Sequence, residues 1–474
     1  MWAELLQILL SILLILIGLH RTILLWESRY RPLSISPDPA DNALELESSL
    51  PVLIQIPVFN DSDALVGMLP QLPQFNASRF KFEIQILDDS DDGSAPQNRS
   101  AVEQLALTGL PIRYIHRDRR KGYKAGALAE GLALSEAQFI AIFDVDFQIP
   151  ADFLSRTLHH FSDPQIGWVQ CRWGFTNRNH NWLTRAQARL LDGHFRVEHR
   201  ARAAAGRFFN FNGTAGIWRR QAIEDAGGWN GDTIVEDTDL SLRAWNRGWR
   251  AVYRDDIVCC GLLPDHFSAF RTQQRRWFAG GMQLSLREIT GAGAVDSTKL
   301  SLLERFDLSA RFFAPLGSIV VVLLTLWAPL RRIFPQFLGP DPWVFKWLGT
   351  PHFEGIFLFF ACLSLILYYS ATGGGLLARL WESLLVLILG TGFALYAAIS
   401  CCAGLLGQVT TFERTPKARS STGGRGVTGW EILWAPLLLL LWGGAYQSGA
   451  WSVLPLVSMS LVGLLWSFSG KSAS

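Results

Sequence analysis

Four groups of charged residues follow one another along the middle of this chain in an order that suggests a single reaction. Asp88-Asp89 comes first, then Asp144-Val145-Asp146, then Glu236-Asp237, then Gln273-Gln274-Arg275-Arg276-Trp277. In an extended segment, residues two apart face the same side. Asp144 and Asp146 can therefore hold one hard divalent cation, Mg²⁺ or Mn²⁺, with diphosphate oxygens and water as its other ligands. Such an ion would neutralise charge gathering on a departing nucleoside diphosphate. Asp88 and Asp89 precede a Ser-Asp-Asp-Gly-Ser turn and suit hydrogen bonds to the nucleoside, although these residue types also make a plain acidic turn. Lys121-Gly122-Tyr123-Lys124-Ala125-Gly126 opens a helix, a place that suits a phosphate, and Lys124 is the candidate diphosphate or sugar contact.

Glu236-Asp237 calls for a different role. A sugar hydroxyl is a weak nucleophile at neutral pH and needs a carboxylate to take its proton as it attacks the anomeric carbon. Asp237 is assigned as that base, with Glu236 beside it at the donor and acceptor. One attacking hydroxyl and one diphosphate leaving group imply a single displacement with inversion, the geometry of inverting glycoside hydrolysis with an acceptor in place of water. The pair would equally serve as the acidic first turn of the helix that follows. Gln273, Arg276 and Trp277 combine a guanidinium for diphosphate with an indole for a sugar face; a basic helix at a lipid boundary would look similar.

These residues need elements to hold them. Apolar runs at 52–58, 82–87, 112–115, 139–144 and 166–171 read as strands, and Ala125–Leu134 carries a helical pattern between two of them. The alternation predicts a mostly parallel α/β sheet, in which ligands bind at the carboxyl ends of strands. Asp88 and Asp144 fall at such ends. Trp168, Trp173, Trp182, Trp218 and Trp229 either stack on sugar rings or fill the core.

The chain has 474 residues, 49% hydrophobic and 18% charged, with mean hydropathy +0.19, a balance that points to an integral membrane protein. The net charge of +2 gives no reason to expect nucleic acid as a partner. None of the six cysteines forms a Cys-x-x-Cys pair, which argues against a zinc site or a disulfide framework. Residues 1–27 read as an N-terminal anchor, followed by basic residues that place the next domain in the cytoplasm. Residues 28–50 read as a linker, 51–308 as the catalytic domain and 309–474 as a membrane region. Spanning candidates lie near 310–330, 355–370, 432–446 and 450–468.

Taken in order, the D-D, D-x-D, E-D and Q-x-x-R-W motifs resemble those of the membrane-embedded family 2 glycosyltransferases. The wording around them (QILDDSDD, RKGYKAGALAEG, FIAIFDVDFQIPADFL, FNFNGTAGIWRR, TIVEDTDLSLRA) is similar to the cellulose-synthase-like A, or glucomannan synthase, branch and its bacterial relatives. The likeness runs from about residue 50 to 280. It implies a GT-A fold, Rossmann-like and nucleotide-sugar-binding, embedded between transmembrane helices. It implies a donor such as UDP-glucose or GDP-mannose, nucleotide contacts from Asp88, Asp89, Lys124 and Asp144, and metal contacts from Asp144 and Asp146. Asn212, Gly213 and Thr214 would lie near the acceptor. Phe412, Thr415, Pro416 and Lys417 fall in a segment, 410–420, similar to the gating loop of cellulose synthases, with Arg414 where that pattern has Val.

A gate must share a side with the catalytic domain, yet three crossings between 310 and 405 would put Phe412 on the other side. Residues 383–405, with Gly390, Gly392, Ser400 and a following Gln408, are therefore expected to form an interfacial or re-entrant segment, leaving five spans. The resulting expectation is an inverting hexosyltransferase that extends and exports a β-linked mannan, glucomannan or glucan, in a bacterial cell membrane or a Golgi membrane. The alternative acceptor is a lipid, as in a monoglucosyl diacylglycerol or ceramide glycoside. No partner subunit is indicated by the sequence.

Overall fold

In the computed structural model the described residues are 2–33, 51–77, 80–289, 300–334, 353–408, 415, 429–449, 451 and 453–468. In chain order, α1 (Trp2–Tyr30) is followed by β1 (Val52–Val58), α2 (Ser62–Met68), β2 (Phe82–Asp88), α3 (Ala95–Ala106), β3 (Ile112–His116), α4 (Tyr123–Ala133), β4 (Phe139–Ile142) and α5 (Phe153–Leu158). Then come β5 (Ile166–Phe175), α6 (Trp182–Asp192), a π-helical turn (Gly193–His199), α7 (Arg200–Ala204), β6 (Gly216–Arg219), α8 (Arg220–Asp225), α9 (Glu236–Asn246) and β7 (Arg250–Gly261). The remaining helices are α10 (Phe267–Ile289), α11 (Leu302–Phe313), α12 (Gly317–Ile333), α13 (Phe353–Ser370), α14 (Leu376–Leu405), α15 (Gly429–Gln447) and α16 (Leu454–Phe468).

The seven strands form one sheet in the order β3-β2-β1-β4-β6-β5-β7. β1 lies parallel to both β2 and β4, so the chain reverses its direction of growth there, and the crevice beyond the carboxyl ends of β1 and β4 is the natural ligand site of such a sheet. The sheet is not all parallel. β6 is inserted antiparallel between β4 and β5. Its four residues are too few for a periodic signal, and the charges within β7 (Arg250, Arg254, Asp255, Asp256) hide that strand as well.

Alternate residues of β1 feed two cores. Val52, Ile54 and Ile56 pack with Ile84, Ile86 and Phe143 on one face, and Leu53 packs with Leu128, Ile140 and Trp218 on the other. Each fully buried aliphatic side chain contributes about 1.5–3 kcal/mol. Gln55 and Gln85 interrupt this apolar pattern for a reason. The Gln55 amide donates to Gln85 Oε1 (3.2 Å) and to the carbonyl of Leu128 (3.1 Å), and Gln85 donates to the carbonyl of Gly131 (2.9 Å). The pair ties α4 to the sheet and so fixes the helix start that carries Lys124. Trp168 and Trp218 are core residues, stacked with their ring centroids 4.9 Å apart.

Among the described residues, two stretches, Leu302–Arg331 and Leu376–Leu405, are long and apolar enough to cross a membrane. The second, α14, is one unbroken helix of 30 residues, about 45 Å at 1.5 Å per residue. Both of its ends are tied to the unit that carries the sheet. Near the start, Glu382 accepts from Arg178 (2.9 Å) and Arg189 (2.8 Å). Leu385, Leu389, Phe393 and Ala397 pack with Leu183 and Ala186 of α6 and Phe270 of α10. Near the end, Ala403 packs on Ile234 and Ala279, and the Cys401 thiol donates to the carbonyl of Pro315 (3.3 Å). On its other side α14 meets α16, where Gly392 and Gly463 touch; a methyl on Gly392 would lie 2.4 Å from the carbonyl carbon of Gly463.

α15 and α16 form a hairpin whose open end rests on the same unit. Arg271 of α10 donates to Glu431, in the first turn of α15 (2.5 Å), and to Ser467, near the end of α16 (3.4 Å). All three side chains are buried. Removing one partner of a buried ion pair leaves an uncompensated charge and costs about 3–5 kcal/mol, whereas replacing both by apolar groups costs little. Arg271→Met is therefore expected to lower the melting temperature of the purified protein markedly, and Arg271→Met combined with Glu431→Leu to recover most of the loss. A double variant no more stable than the single one would show that the pair is not what couples α10 to the hairpin.

Candidate active site

A cavity of about 600 Å³ opens at the carboxyl ends of β1, β2 and β4 and runs across α9 and α10 toward α1 and α13. At one end are Phe59, Asp61, Asp89 and Arg120. The Arg120 guanidinium lies over the Phe59 ring, 3.4 Å from its centroid, and 5.0 Å from that of Tyr123. Asp89 accepts from Arg117, which also donates to the carbonyls of Tyr123 (2.9 Å) and Lys121 (3.1 Å). The acidic turn and the Lys/Gly helix start are thus one structure. Asp88 is different. It is fully buried, does not line the cavity, and accepts from the Ser90 amide, Asn98 Nδ2 and the Tyr114 hydroxyl, each at 2.8 Å. Its carboxylate holds the turn, and Asp89 alone of the pair faces the cavity.

In the middle of the cavity, Lys124 Nζ donates to Asp144 Oδ1 (2.5 Å) and to the carbonyl of Gly213 (2.9 Å). The Asp144 amide donates to Thr214 Oγ1 (2.8 Å), and Asp146 Oδ2 accepts from the Leu262 amide (3.0 Å). Gly213 needs its glycine. Its φ is +79°, and a methyl there would lie 3.0 Å from Asp237 Oδ2. Asn212 and Gly213 line the cavity, while Thr214 lies behind it as support for the Asp144 backbone. Asp144 and Asp146 both line the cavity. Among the described residues no cluster of three or more acidic, histidine or cysteine side chains could hold a metal. Two hard oxygen donors leave most of a six-ligand shell to a diphosphate and water, which fits Mg²⁺ or Mn²⁺.

Glu236 and Asp237 start α9, where the helix N-terminus favours negative charge. Asp237 Oδ1 accepts from the Thr238 amide (2.6 Å). Burial, then the charge of Asp237, pushes Glu236 up to about 7, against Lys124 and Arg276. Burial also raises Asp237, against the Thr238 amide and Lys124. For Lys124, burial acts to lower the pKa, but Asp144, Glu236 and Asp237 together raise it. Burial lowers Arg276, opposed by Glu236, Asp144 and Asp237. Three carboxylates and two cations thus share one cavity. Gln273, Arg276 and Trp277 of α10 all line it.

The far end of the cavity holds residues that the motifs did not single out. His194 Nδ1 lies 3.1 Å from Glu198 Oε2, and His194 Nε2 accepts from Asn212 Nδ2 (3.0 Å). His199 Nε2 donates to Asn212 Oδ1 (2.7 Å). Burial lowers both imidazoles, His199 to about 3, so both are neutral and Asn212 is held between them. Arg21, Tyr368 and Tyr369 close this end. The spacing of His194 and Glu198, four apart on a helical segment, was a signal available in the sequence, as was Arg120 beside the Lys/Gly helix start. Of the gate-like segment, Thr415 is described. It is 5% exposed and lines the cavity. Phe412, Pro416 and Lys417 lie outside the described residues.

The pattern that defines glycosyl transferase family group 2 matches residues 139–410, more than half of the chain. The chain belongs to that family. It is 38% identical over 303 residues to a rice (Oryza sativa subsp. japonica) protein described as a probable glucomannan 4-beta-mannosyltransferase. The match takes in 61% of this chain and 51% of the rice protein, so the chain spans about half the length of that curated relative. Among solved structures, the mannosyltransferase PcManGT from Pyrobaculum calidifontis, in complex with GDP-Man and Mn²⁺, shares the fold. It superposes with a TM-score of 0.52 at 19% identity, covering 79% of this chain and 98% of that one. The sheet is the GT-A sheet, and this glycosyltransferase places its acidic motifs around one cavity.

The raised carboxyls carry a pH prediction. With Asp237 as the expected base, the pair must lose a proton before it can accept one, so kcat/KM is expected to fall as pH drops through about 7. Glu236→Gln removes the like-charged neighbour and should shift that fall to lower pH. A pH–rate limb that the substitution leaves in place would mean that another group controls it.

Proposed function

We propose that this glycosyltransferase transfers a hexose with inversion from a nucleotide sugar to a β-linked glycan, and that GDP-mannose is its first donor and a 4-linked mannan or glucomannan its product. The observation that carries this reading is the continuity of the cavity: from Arg120 and Phe59, past Lys124, Asp144 and Asp237, to the helices α1 and α13, with Thr415 of the gate-like segment in its wall. The rice relative's description and the mannosyltransferase fold favour mannose over glucose.

In this reading the base stacks at Phe59 and Arg120, and the diphosphate lies against Lys124 and Arg276. Asp144 and Asp146 would hold a divalent cation, Mn²⁺ or Mg²⁺, which would draw charge off the leaving diphosphate. The acceptor hydroxyl lies against Asp237. Its oxygen forms the bond to the anomeric carbon from the face opposite the diphosphate, its proton passes to Asp237, and the bond to the diphosphate oxygen breaks. Thr238 holds one Asp237 oxygen, which leaves Oδ2, beside Gly213, for the proton. Trp277 supplies an apolar face for the sugar, and Asn212, clamped by two neutral histidines, a fixed amide.

The membrane arrangement belongs to the same reading. The domain-side ends of α1, α13, α15 and α16 meet the catalytic unit, and α14 lies along it with both ends attached. Five helices, α12 among them, then cross, α14 rests at the interface, and the domain and Thr415 share the cytoplasmic side. One feature favours a second acceptor class. The cavity ends between α1 and α13, where a lipid could enter.

Assays of purified membranes with a panel of donors and sized products separate these readings. Polymer from GDP-mannose that needs Mn²⁺ or Mg²⁺ is the expected result, and single-sugar lipids as the sole product would replace it with the second reading. Asp237→Asn is expected to lower kcat by about 10²–10⁴-fold, the usual worth of a positioned base, with donor KM little changed. Full activity in that variant would remove Asp237 from the mechanism.

A further inference from the structure

A second cavity, of about 510 Å³, lies on the other side of the Gly193–His199 turn, where α1 ends, α13 ends and α14 begins. Five arginines line it (Arg29, Arg172, Arg196, Arg200 and Arg379) against one carboxylate, Asp255. That carboxylate is already engaged by Arg200. Arg172 spends its Nε on the Asp255 carbonyl (2.7 Å), Arg379 one nitrogen on the Ser370 carbonyl (2.9 Å), and Arg200 its Nε on the Ser28 carbonyl (3.0 Å). Arg196 meets Asp192 only at 3.5 Å, and the buried Nε atoms of Arg196 and Arg379 make no hydrogen bond. Burial, and then the charge of Arg196, lowers Arg172. Guanidiniums so close repel one another, and the reacting residues described above do not include any of them.

The surroundings are apolar and open. Trp26 and Tyr30 of α1 and Leu376, Leu377 and Trp381 of α14 are exposed, Leu377 to 83%. Tryptophan and tyrosine beside basic side chains are what the headgroup level of a bilayer selects. We propose that this cavity binds the phosphate headgroup of an anionic phospholipid drawn from the adjoining bilayer. The proposal rests on the membrane reading of α1, α13 and α14. Arginine forks suit phosphate oxygens, basic pockets beside transmembrane helices take such headgroups, and the exposed leucines and tryptophans give the acyl chains a surface that free phosphate would not need. The turn it grips also carries His194 and Glu198 onto the reaction cavity, so an occupied headgroup site steadies the acceptor end.

The test uses the full chain, purified in detergent and equilibrated with mixed micelles of phosphatidylglycerol and phosphatidylcholine, with bound lipid measured by native mass spectrometry. The wild type should retain phosphatidylglycerol over phosphatidylcholine by about tenfold or more, on the scale of a few juxtamembrane basic residues. Arg196→Gln with Arg379→Gln should bring the ratio close to one, and Arg196→Lys with Arg379→Lys, which keeps charge but not the fork, should fall between. Donor binding by each variant reports that it is folded. In neutral-lipid nanodiscs the wild type should lose activity that phosphatidylglycerol restores, and the Gln variant should not respond. Equal retention by wild type and a folded Gln variant would overturn the proposal. So would displacement of the lipid by inorganic phosphate, which would make the free anion the ligand. Extraction of the chain from membranes by alkaline carbonate would instead overturn the membrane reading.

Discussion

Everything in the cavity depends on keeping three carboxylates together around two cations. Asp144, Glu236 and Asp237 approach the same two cations, Lys124 and Arg276. Unit charges about 4 Å apart near a protein surface interact by about 4 kcal/mol, and a buried carboxylate without a partner costs several kcal/mol. The cations must therefore be delivered with little freedom, and each comes from a helix anchored elsewhere. Lys124 stands on α4, which Gln55 and Gln85 tie to the sheet. Arg276 stands on α10, which packs along α14 and is bound by Arg271 to the α15–α16 hairpin. The site is thus complete only when α14, α15 and α16 are in place.

That dependence explains a long apolar helix that keeps both ends on the catalytic unit. One face of α14 meets α6 and α10, and the other meets α16 at the Gly392–Gly463 contact. Its apolar character follows from being covered on two sides, so hydropathy alone cannot distinguish it from a spanning helix. The proposed gate-like segment would have to face the carboxylates, and that requirement alone is what would keep α14 from crossing. The position of Thr415 in the cavity wall is in keeping with that argument.

Much of the catalytic domain was legible because parallel strands are near-continuous apolar runs that end where the chemistry begins. Asp144 and Asp237 stand where strand ends and a helix start put them. The two adjacent aspartates were harder. Successive residues leaving a strand point to opposite sides. Which of Asp88 and Asp89 faces the cavity depends on Asn98 and Tyr114, distant residues that claim the Asp88 carboxylate. β6 was missed because it is four residues long and positioned by a turn at Gly213–Ala215 with positive φ at both ends. The far wall, from His194 to Arg21, was missed because its parts come from four regions that only the tertiary fold brings together.

The π-helical turn at Gly193–His199 shows how these levels join. A π turn carries an extra residue and is frequent at functional sites. Here it packs tightly under α13, where the Tyr368 hydroxyl donates to the Gly193 carbonyl (2.7 Å). A side chain on Gly193 would lie 2.6 Å from the Tyr368 ring. With the glycine in place, the turn sends His194 and Glu198 to the first cavity and Arg196 to the arginine-lined one, which Arg200 at the start of α7 also lines. The end of α1 and the end of α13 also border both. A displacement of either helix would therefore move the residues that fix Asn212. The position of Asn212 is set as much by α1 and α13, which pack on the turn, as by the sheet that carries the carboxylates.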